Sequence, residues 1–171
     1  NYFASKLPDS RGWAVWDKLD GMEGTTKNFS DIEIIWTSFD KPARLFRHRW
    51  QGLMKGSERT EKRCHPTQKP IQLLIDIINY YGNDFNLILD PFLGSGSTLI
   101  VCEKINRICY GMEIDAHYCT VIAERYINFV GATAHVCRLN PDGSQTPWAE
   151  IEGTQVDLKR EGGAGEEGGD I

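Results

Sequence analysis

The chain has 171 residues, of which 40% are hydrophobic and 25% charged, and its formal net charge is −5. That is an ordinary globular balance and enough chain for one domain with a real core. No apolar run approaches the ~18 residues of a helical membrane span, and five cysteines without a C-x-x-C pair argue against a metal site or disulfide framework and for a reducing compartment.

In chain order, Gly12 to Lys18 reads as a strand of aromatic and β-branched residues ended by a charged pair, and Leu19 to Asn28 as a loop. A second strand is expected at Ile32 to Phe39, close enough to the first for an antiparallel pair at a sheet edge. The next segment is basic. Between Lys41 and Pro70 nine Lys or Arg face two acids, so this stretch carries +7 and the remainder −12. Phe46, His48 and Trp50 are interleaved with the charges. Concentrated positive charge inside an acidic protein suits a phosphate-contacting surface; the bland alternative is a solvated loop.

From Pro70 the period becomes helical, with Ile71, Leu74, Ile75 and Ile78 at i, i+3, i+4 and i+7, Pro70 in the first turn and Gly82 as the stop. A short buried strand is expected at Asn86 to Leu89, a helix from Thr98 to Lys104, a strand at Ile108 to Met112 and a helix from Ala116 to Phe129. That alternation implies parallel strands joined by crossover helices. A weak strand is possible near Ala134 to Leu139. Residues 150–171, with seven acids against two bases, read as a disordered Gly/Glu-rich tail. The boundaries expected are thus 1–149 for the domain, with edge strands in 1–40, the basic segment in 41–64 and the glycine-loop half in 65–139.

The chemistry concentrates after the strand that ends at Leu89. Asp90-Pro91-Phe92-Leu93-Gly94-Ser95-Gly96-Ser97-Thr98 puts an acid at a strand end, two glycines one residue apart, and small residues opening a helix. Without Cβ atoms the backbone at Gly94 and Gly96 can turn tightly and approach a ligand, and helix-start amides favour an anionic group. No Gly-Lys-Ser/Thr follows, so a P-loop lysine is missing. Glu113 closes the next strand 23 residues after Asp90, where a carboxylate can accept bonds from two ribose hydroxyls; alternatively it is a surface acid at a helix start. Trp13 and Trp16 read as core in preference to base-stacking residues.

Three stretches in this order, His65-Pro66-Thr67-Gln68-Lys69-Pro70, the Asp90–Thr98 loop and Gly111-Met112-Glu113-Ile114-Asp115, resemble the S-adenosylmethionine (SAM) dependent DNA amino-methyltransferases. These enzymes methylate adenine N6 or cytosine N4, and the order looks like their β-type permutation. The resemblance implies an α/β, three-layer Rossmann-like fold with a mostly parallel sheet, here incomplete at its N-terminal end. It implies SAM as cofactor, bound by His65, Pro66, Thr67, Gln68, Lys69, Asp90, Pro91, Phe92, Gly94, Ser95, Gly96, Ser97, Thr98, Glu113, Ile114 and Asp115. The loop would cradle the methionine portion with Asp90 near its amino end, Glu113 would hold the ribose, and Ile114 and Asp115 would border the adenine.

The implied macromolecular partner is double-stranded DNA, contacted through Arg44, Arg47, Arg49, Arg59, Lys62 and Arg63, in a prokaryotic or phage-infected cytoplasm. The family's catalytic Asp/Ser/Asn-Pro-Pro-aromatic motif does not occur in the sequence, so no catalytic residue is assigned. In the permuted order it belongs upstream of Asn1, on a complementing N-terminal segment or chain. The rival expectations are a catalytically inert SAM- or DNA-binding module and a methyltransferase acting on RNA or small molecules; the second leaves the hexapeptide and the basic segment unexplained.

Overall fold

The computed structural model describes residues 6–22, 30–50, 68–131 and 136–151. The expected loop's 23–29, the basic stretch 51–67 and the tail from 152 onward lie outside the described residues. The chain divides into two compact units, Asn1–Ile122 and Ala123–Ile171.

In the first unit β1 (Trp13–Asp17), β2 (Ile32–Trp36) and β3 (Arg44–Arg47) form a sheet in the order β2–β1–β3. β1 pairs antiparallel with β2, Val15 opposite Ile34, and parallel with β3, Trp16 opposite Phe46. The antiparallel edge pair is as expected. This sheet is nonetheless mixed, in contrast to the mostly parallel sheet expected, because β3 joins β1 from inside the segment read as a basic loop. One face of β1 is driven inward by Ala14 and Trp16, and these pack with Phe46, Trp50, Leu73 and Tyr81 into the core. The Trp16 indole N–H donates to the His48 carbonyl at 2.9 Å, so its one polar atom is satisfied on burial.

Helix α1 (Ile71–Tyr81) starts after Pro70 and stops at Gly82, whose N–H bonds to the Ile78 carbonyl at 2.7 Å. The expected apolar face of Ile71, Leu74, Ile75 and Ile78 is only part of the picture. Leu73 and Tyr81 are the residues buried against the sheet, with Ile77 and Tyr80 beside them. The sequence IQLLIDIINYY is apolar around most of its circumference because α1 packs both on β3 and on α2 (Ser97–Lys104).

β4 (Leu87–Asp90) and β5 (Ile108–Gly111) pair in parallel, Leu89 opposite Tyr110, with α2 as the crossover and packed on β5. β4 was expected to be buried, yet Leu87 and Leu89 are exposed; only the face bearing Ile88 is shielded. Burial, with the Cys102 thiol alongside, pushes the Cys109 thiol up to about 12, and burial raises Cys102 as well. Neither is a thiolate nucleophile at neutral pH.

α3 (Ala116–Val130) opens on Asp115, whose Oδ1 accepts the His117 N–H at 2.8 Å as an N-cap. In the second unit β6 (Cys137–Leu139) and β7 (Gln145–Pro147) form an antiparallel hairpin, followed by a 3-10 turn at Trp148–Glu150. β6 realises the C-terminal part of the weak strand expected near 134–139; residues 132–135 lie outside the described residues.

Candidate functional site

The β4–α2 connection is held in shape by its own acid. Asp90 Oδ1 accepts the Phe92 N–H at 3.0 Å and Oδ2 accepts the Thr98 hydroxyl at 2.6 Å, so one carboxylate ties the loop's entrance to its exit. Between them Gly94 and Gly96 take left-handed φ of 57° and 78°. Gly96 is the residue preceding α2, and its N–H closes a turn on the Leu93 carbonyl at 2.9 Å. A β-carbon there would come to 3.1 Å from Ile122 Cγ2. Gly96→Ala therefore meets both a backbone penalty of about 1–2 kcal/mol and a tight contact. We expect a loss of about that size or more in urea unfolding. Gly131→Ala is the control, since Gly131 has a φ of 73° and nothing within 4 Å of the added atom. Equal losses at the two positions would remove the Ile122 contact from the account.

Glu113 reaches this loop from the end of β5. Its Oε2 accepts the Gly94 N–H at 2.8 Å and its Oε1 the Asp115 N–H at 3.0 Å. These bonds, the Asp115 amide first and the Gly94 amide second, hold its carboxyl below the ordinary glutamate value. Each oxygen keeps a lone pair for a further donor. Glu113 is thus an anion at neutral pH that fixes the loop and can accept more bonds.

From the other side come the residues before α1. Gln68 is buried, and the Lys69 carbonyl accepts the Ser97 hydroxyl at 3.3 Å. The Lys69 ammonium lies 3.4 Å from Glu33 and 5.8 Å from the centre of the Trp16 ring, which ties the cleft to the first sheet. Together Gln68, Lys69, Asp90, Phe92, Gly94, Ser95, Ser97 and Thr98 line a cleft of about 190 Å³.

Eight of the sixteen expected cofactor residues therefore meet on one cleft. Gly96 shapes it and Glu113 is bonded to its rim. Pro91 and Ile114 are exposed, and Asp115 is engaged in capping α3. His65, Pro66 and Thr67 lie outside the described residues. Leu74 and Leu93 also line the cleft and were missed. Leu74 was visible in the helical period, but the period alone does not tell a core face from a cleft wall.

The basic residues are less unified. Arg44 and Arg47 both border an open groove of about 480 Å³ with His48, Asp76 and Tyr80. They sit three apart on β3, so their side chains leave opposite faces of the strand. Arg44 stacks over the Tyr80 ring at 5.0 Å, whereas Arg47 lies 3.6 Å from Asp17. Asp76 at the groove wall bonds His48 Nε2 at 2.8 Å and accepts the Gln72 amide at 2.9 Å, which offsets part of the positive charge. Arg49 follows two residues after Arg47 and is partly buried. Arg59, Lys62 and Arg63 lie outside the described residues. Among the described residues no cluster of His, Cys, Asp or Glu is arranged to hold a metal ion.

Comparison with known proteins supplies the family. The type II methyltransferase M1.MboII of Moraxella bovis is 25% identical over a stretch covering 68% of this chain and 62% of that protein. The type II methyltransferase M.HpaI of Haemophilus parainfluenzae is 39% identical over 37% of this chain and 20% of that protein. The crystal structure of the M1.HpyAVI–SAM complex superposes with a TM-score of 0.48 at 26% identity, covering 67% of this chain and 60% of that one. The chain thus spans less than two thirds of the length of these relatives. A family model described as DNA methylase, of the N6/N4 methyltransferase type, matches residues 9–125, well over half of the sequence, and the chain belongs to that DNA methylase family.

Proposed function

We propose that this chain is the cofactor-binding part of a site-specific DNA methyltransferase that transfers a methyl group from SAM to adenine N6 or cytosine N4 in double-stranded DNA. The observation that carries the reading is the convergence of Gln68-Lys69, the Asp90–Thr98 loop and Glu113 on one cleft. The donor set fits a zwitterionic nucleoside cofactor. Loop and helix-start amides with Lys69 suit a carboxylate, Asp90 suits an ammonium, and Glu113 suits a pair of ribose hydroxyls. The exposed Phe92 and Ile114 offer apolar surface to an adenine ring. A volume of about 190 Å³ matches the methionyl end better than a whole cofactor, since complete small-molecule sites run from ~300 Å³ upward. His65, Pro66 and Thr67 belong to this set by the family resemblance.

When bound, SAM supplies an electrophilic methyl group: the amine nitrogen bonds that carbon, the C–S electrons return to sulfur, and the amine gives up a proton. The chain's own residues hold and orient. Activating an exocyclic amine requires acceptors for its hydrogens and an aromatic platform for the flipped base. The Asp/Ser/Asn-Pro-Pro-aromatic motif that supplies them in the family is absent from this sequence. The chain alone is therefore inactive in this reading, and a complementing segment or chain provides that motif. The parent fold is the three-layer Rossmann-like methyltransferase domain, of which β4–α2–β5 is the cofactor-holding part and residues 1–149 are a portion; residues 150–171 are an acidic tail.

Calorimetric titration of the chain with SAM tests the proposal directly. Saturable binding together with no methyl transfer to duplex DNA is the expected pair of results. The motif's absence also favours a catalytically inert binding module, and the two readings separate when the complementing segment is restored. Methylated adenine or cytosine in the DNA then supports the enzyme, and continued inactivity supports the module.

In the same reading, Arg44, Arg47, Arg49, Arg59, Lys62 and Arg63 contact DNA phosphates, which position the duplex without specifying sequence. Plots of log affinity against log salt are expected to slope steeply downward, and Arg44→Ala and Arg47→Ala each to flatten the slope by about one. Fluorescence anisotropy with a labelled duplex measures this. A salt-insensitive interaction would return the segment to the solvated-loop reading.

A further inference from the structure

The β4–β5 pair is apolar at nearly every position of both strands, Leu87-Ile88-Leu89 and Ile108-Cys109-Tyr110, a pattern that belongs to parallel strands covered on both faces. Only one face is covered. Ile88 and Cys109 are shielded, with the Cys109 thiol bonded to Cys102 of α2. On the opposite face Leu87, Leu89, Ile108, Tyr110 and Met112 are each 55–65% exposed, and Ile114 beyond them is fully exposed. Register places Leu87 beside Ile108 and Leu89 beside Tyr110, so these side chains form one continuous patch. Among the described residues β4 and β5 also pair only with each other, which leaves a free hydrogen-bonding edge on each.

The first sheet repeats the pattern. α1 covers the face bearing Ala14, Trp16 and Phe46, while Ile34 and Leu45, which flank Val15 on the other face, are 60% and 47% exposed. Two sheets in one unit, each helix-packed on one side and apolar on the other, are two layers of a three-layer arrangement.

We propose that the bare face of β4–β5 is the docking surface for a separate polypeptide that contributes an amphipathic helical layer and carries the part of the methylase domain without a counterpart in this chain. This rests on the methyltransferase reading above and names where its complementing partner binds. Three observations select that occupant. The strand sequences are written for burial on both faces, which in parallel sheets is achieved by helices. The chain spans only 62% of the length of M1.MboII, so over a third of such a domain remains to be supplied. The six exposed side chains present apolar area on the order of the ~800 Å² per partner of a standard stable interface, well above an ordinary monomer patch of ~300–600 Å².

The test is co-expression of this chain with the portion of M1.MboII outside the matched stretch, one of them tagged, with size-exclusion light scattering on the product. A one-to-one complex is expected. Leu87→Glu combined with Tyr110→Lys should weaken it at least tenfold. Both positions are solvent-facing and outside the cofactor cleft, so circular dichroism and SAM titration of the free double variant should match the unsubstituted chain. Glu113→Ala should leave the complex intact while weakening SAM binding, so failure of the cofactor reading and failure of the docking surface give different results. The proposal is overturned if the unsubstituted chain forms no complex, or if the complex ignores the double substitution. It is equally overturned if the chain alone is a dimer that the double substitution splits, which makes a second copy the occupant.

Discussion

Glu113→Ala is expected to weaken SAM binding about a hundredfold while the chain keeps its circular dichroism spectrum. The size follows from what is lost: two hydrogen bonds from ribose hydroxyls to a charged acceptor, each stronger than a neutral pair. The same substitution removes the acceptor for the Gly94 N–H, now 2.8 Å from Oε2, so the loop also loses an anchor. Glu113→Gln separates the two contributions. Its amide oxygen can still accept from Gly94 but carries no charge, and an intermediate loss of about tenfold is expected. The pH profile gives an independent reading. The Asp115 and Gly94 amides lower the folded-state pKa of Glu113, so its contribution is complete above the unfolded glutamate value and disappears as pH falls through the lower folded value. Affinity should therefore stay level from pH 8 down to the ordinary glutamate range and fall only in more acidic solution, an acid limb that Glu113→Gln abolishes. Unchanged affinity in Glu113→Ala would remove the ribose role.

The parts of the site that were legible in the sequence are those where backbone geometry demands particular residues. Left-handed φ at Gly94 and Gly96 leaves little choice but glycine, and an acid at a strand end before such a loop finds its amides, as Asp90 does with Phe92. Helix ends were legible for the same reason: Pro70 and Gly82 bracket α1 to within a residue. What stayed hidden depends on partners distant in sequence. β3 reads Arg-Leu-Phe-Arg, which looks like a charged loop until β1 lies beside it and buries Phe46 alone. The separation of Arg44 and Arg47 onto two faces follows from that pairing, so composition could show the positive charge but not that it divides. In α1 the period identified a helix, but with apolar residues on most sides it could not rank Leu73 and Tyr81 above Leu74 and Ile78. The bare face of β4–β5 was misread as buried because a strand's sequence records the environment it is written for, not whether that environment is present in one chain.

Asp90 shows how structure sharpens a motif. Its expected place beside an ammonium remains open to it, but both oxygens already serve the loop, through Phe92 and Thr98. Loss of this acid is therefore a loss of loop shape before it is a loss of ligand contact, and Thr98 matters for the same reason. Glu113 and Asp90 divide the work. Asp90 closes the loop on itself, and Glu113 ties it to the next strand.

Trp16→Ala should be the most destabilising of the substitutions considered, by about 3–5 kcal/mol in urea unfolding. Trp16 is 2% exposed and lies in the cluster that joins β1, β3 and α1. Removing the indole leaves a cavity among Phe46, Trp50, Leu73 and Tyr81 and strips the His48 carbonyl of its donor. A domain of ordinary stability has about 5–15 kcal/mol in total, so the variant should be partly unfolded near physiological temperature. Trp16→Phe keeps most of the ring and loses only the N–H, and should cost about 1–2 kcal/mol, the range of one hydrogen bond with a modest void. The effect should reach the cleft. Trp16 lies under the Lys69 ammonium, and Lys69 also accepts Ser97 at its carbonyl, so SAM affinity should fall in Trp16→Ala even where the protein remains folded. A loss below about 1 kcal/mol would mean that the indole is not the centre of this core. A full loss of stability with unchanged SAM affinity in the folded fraction would mean that the first sheet holds itself together without positioning the residues ahead of α1.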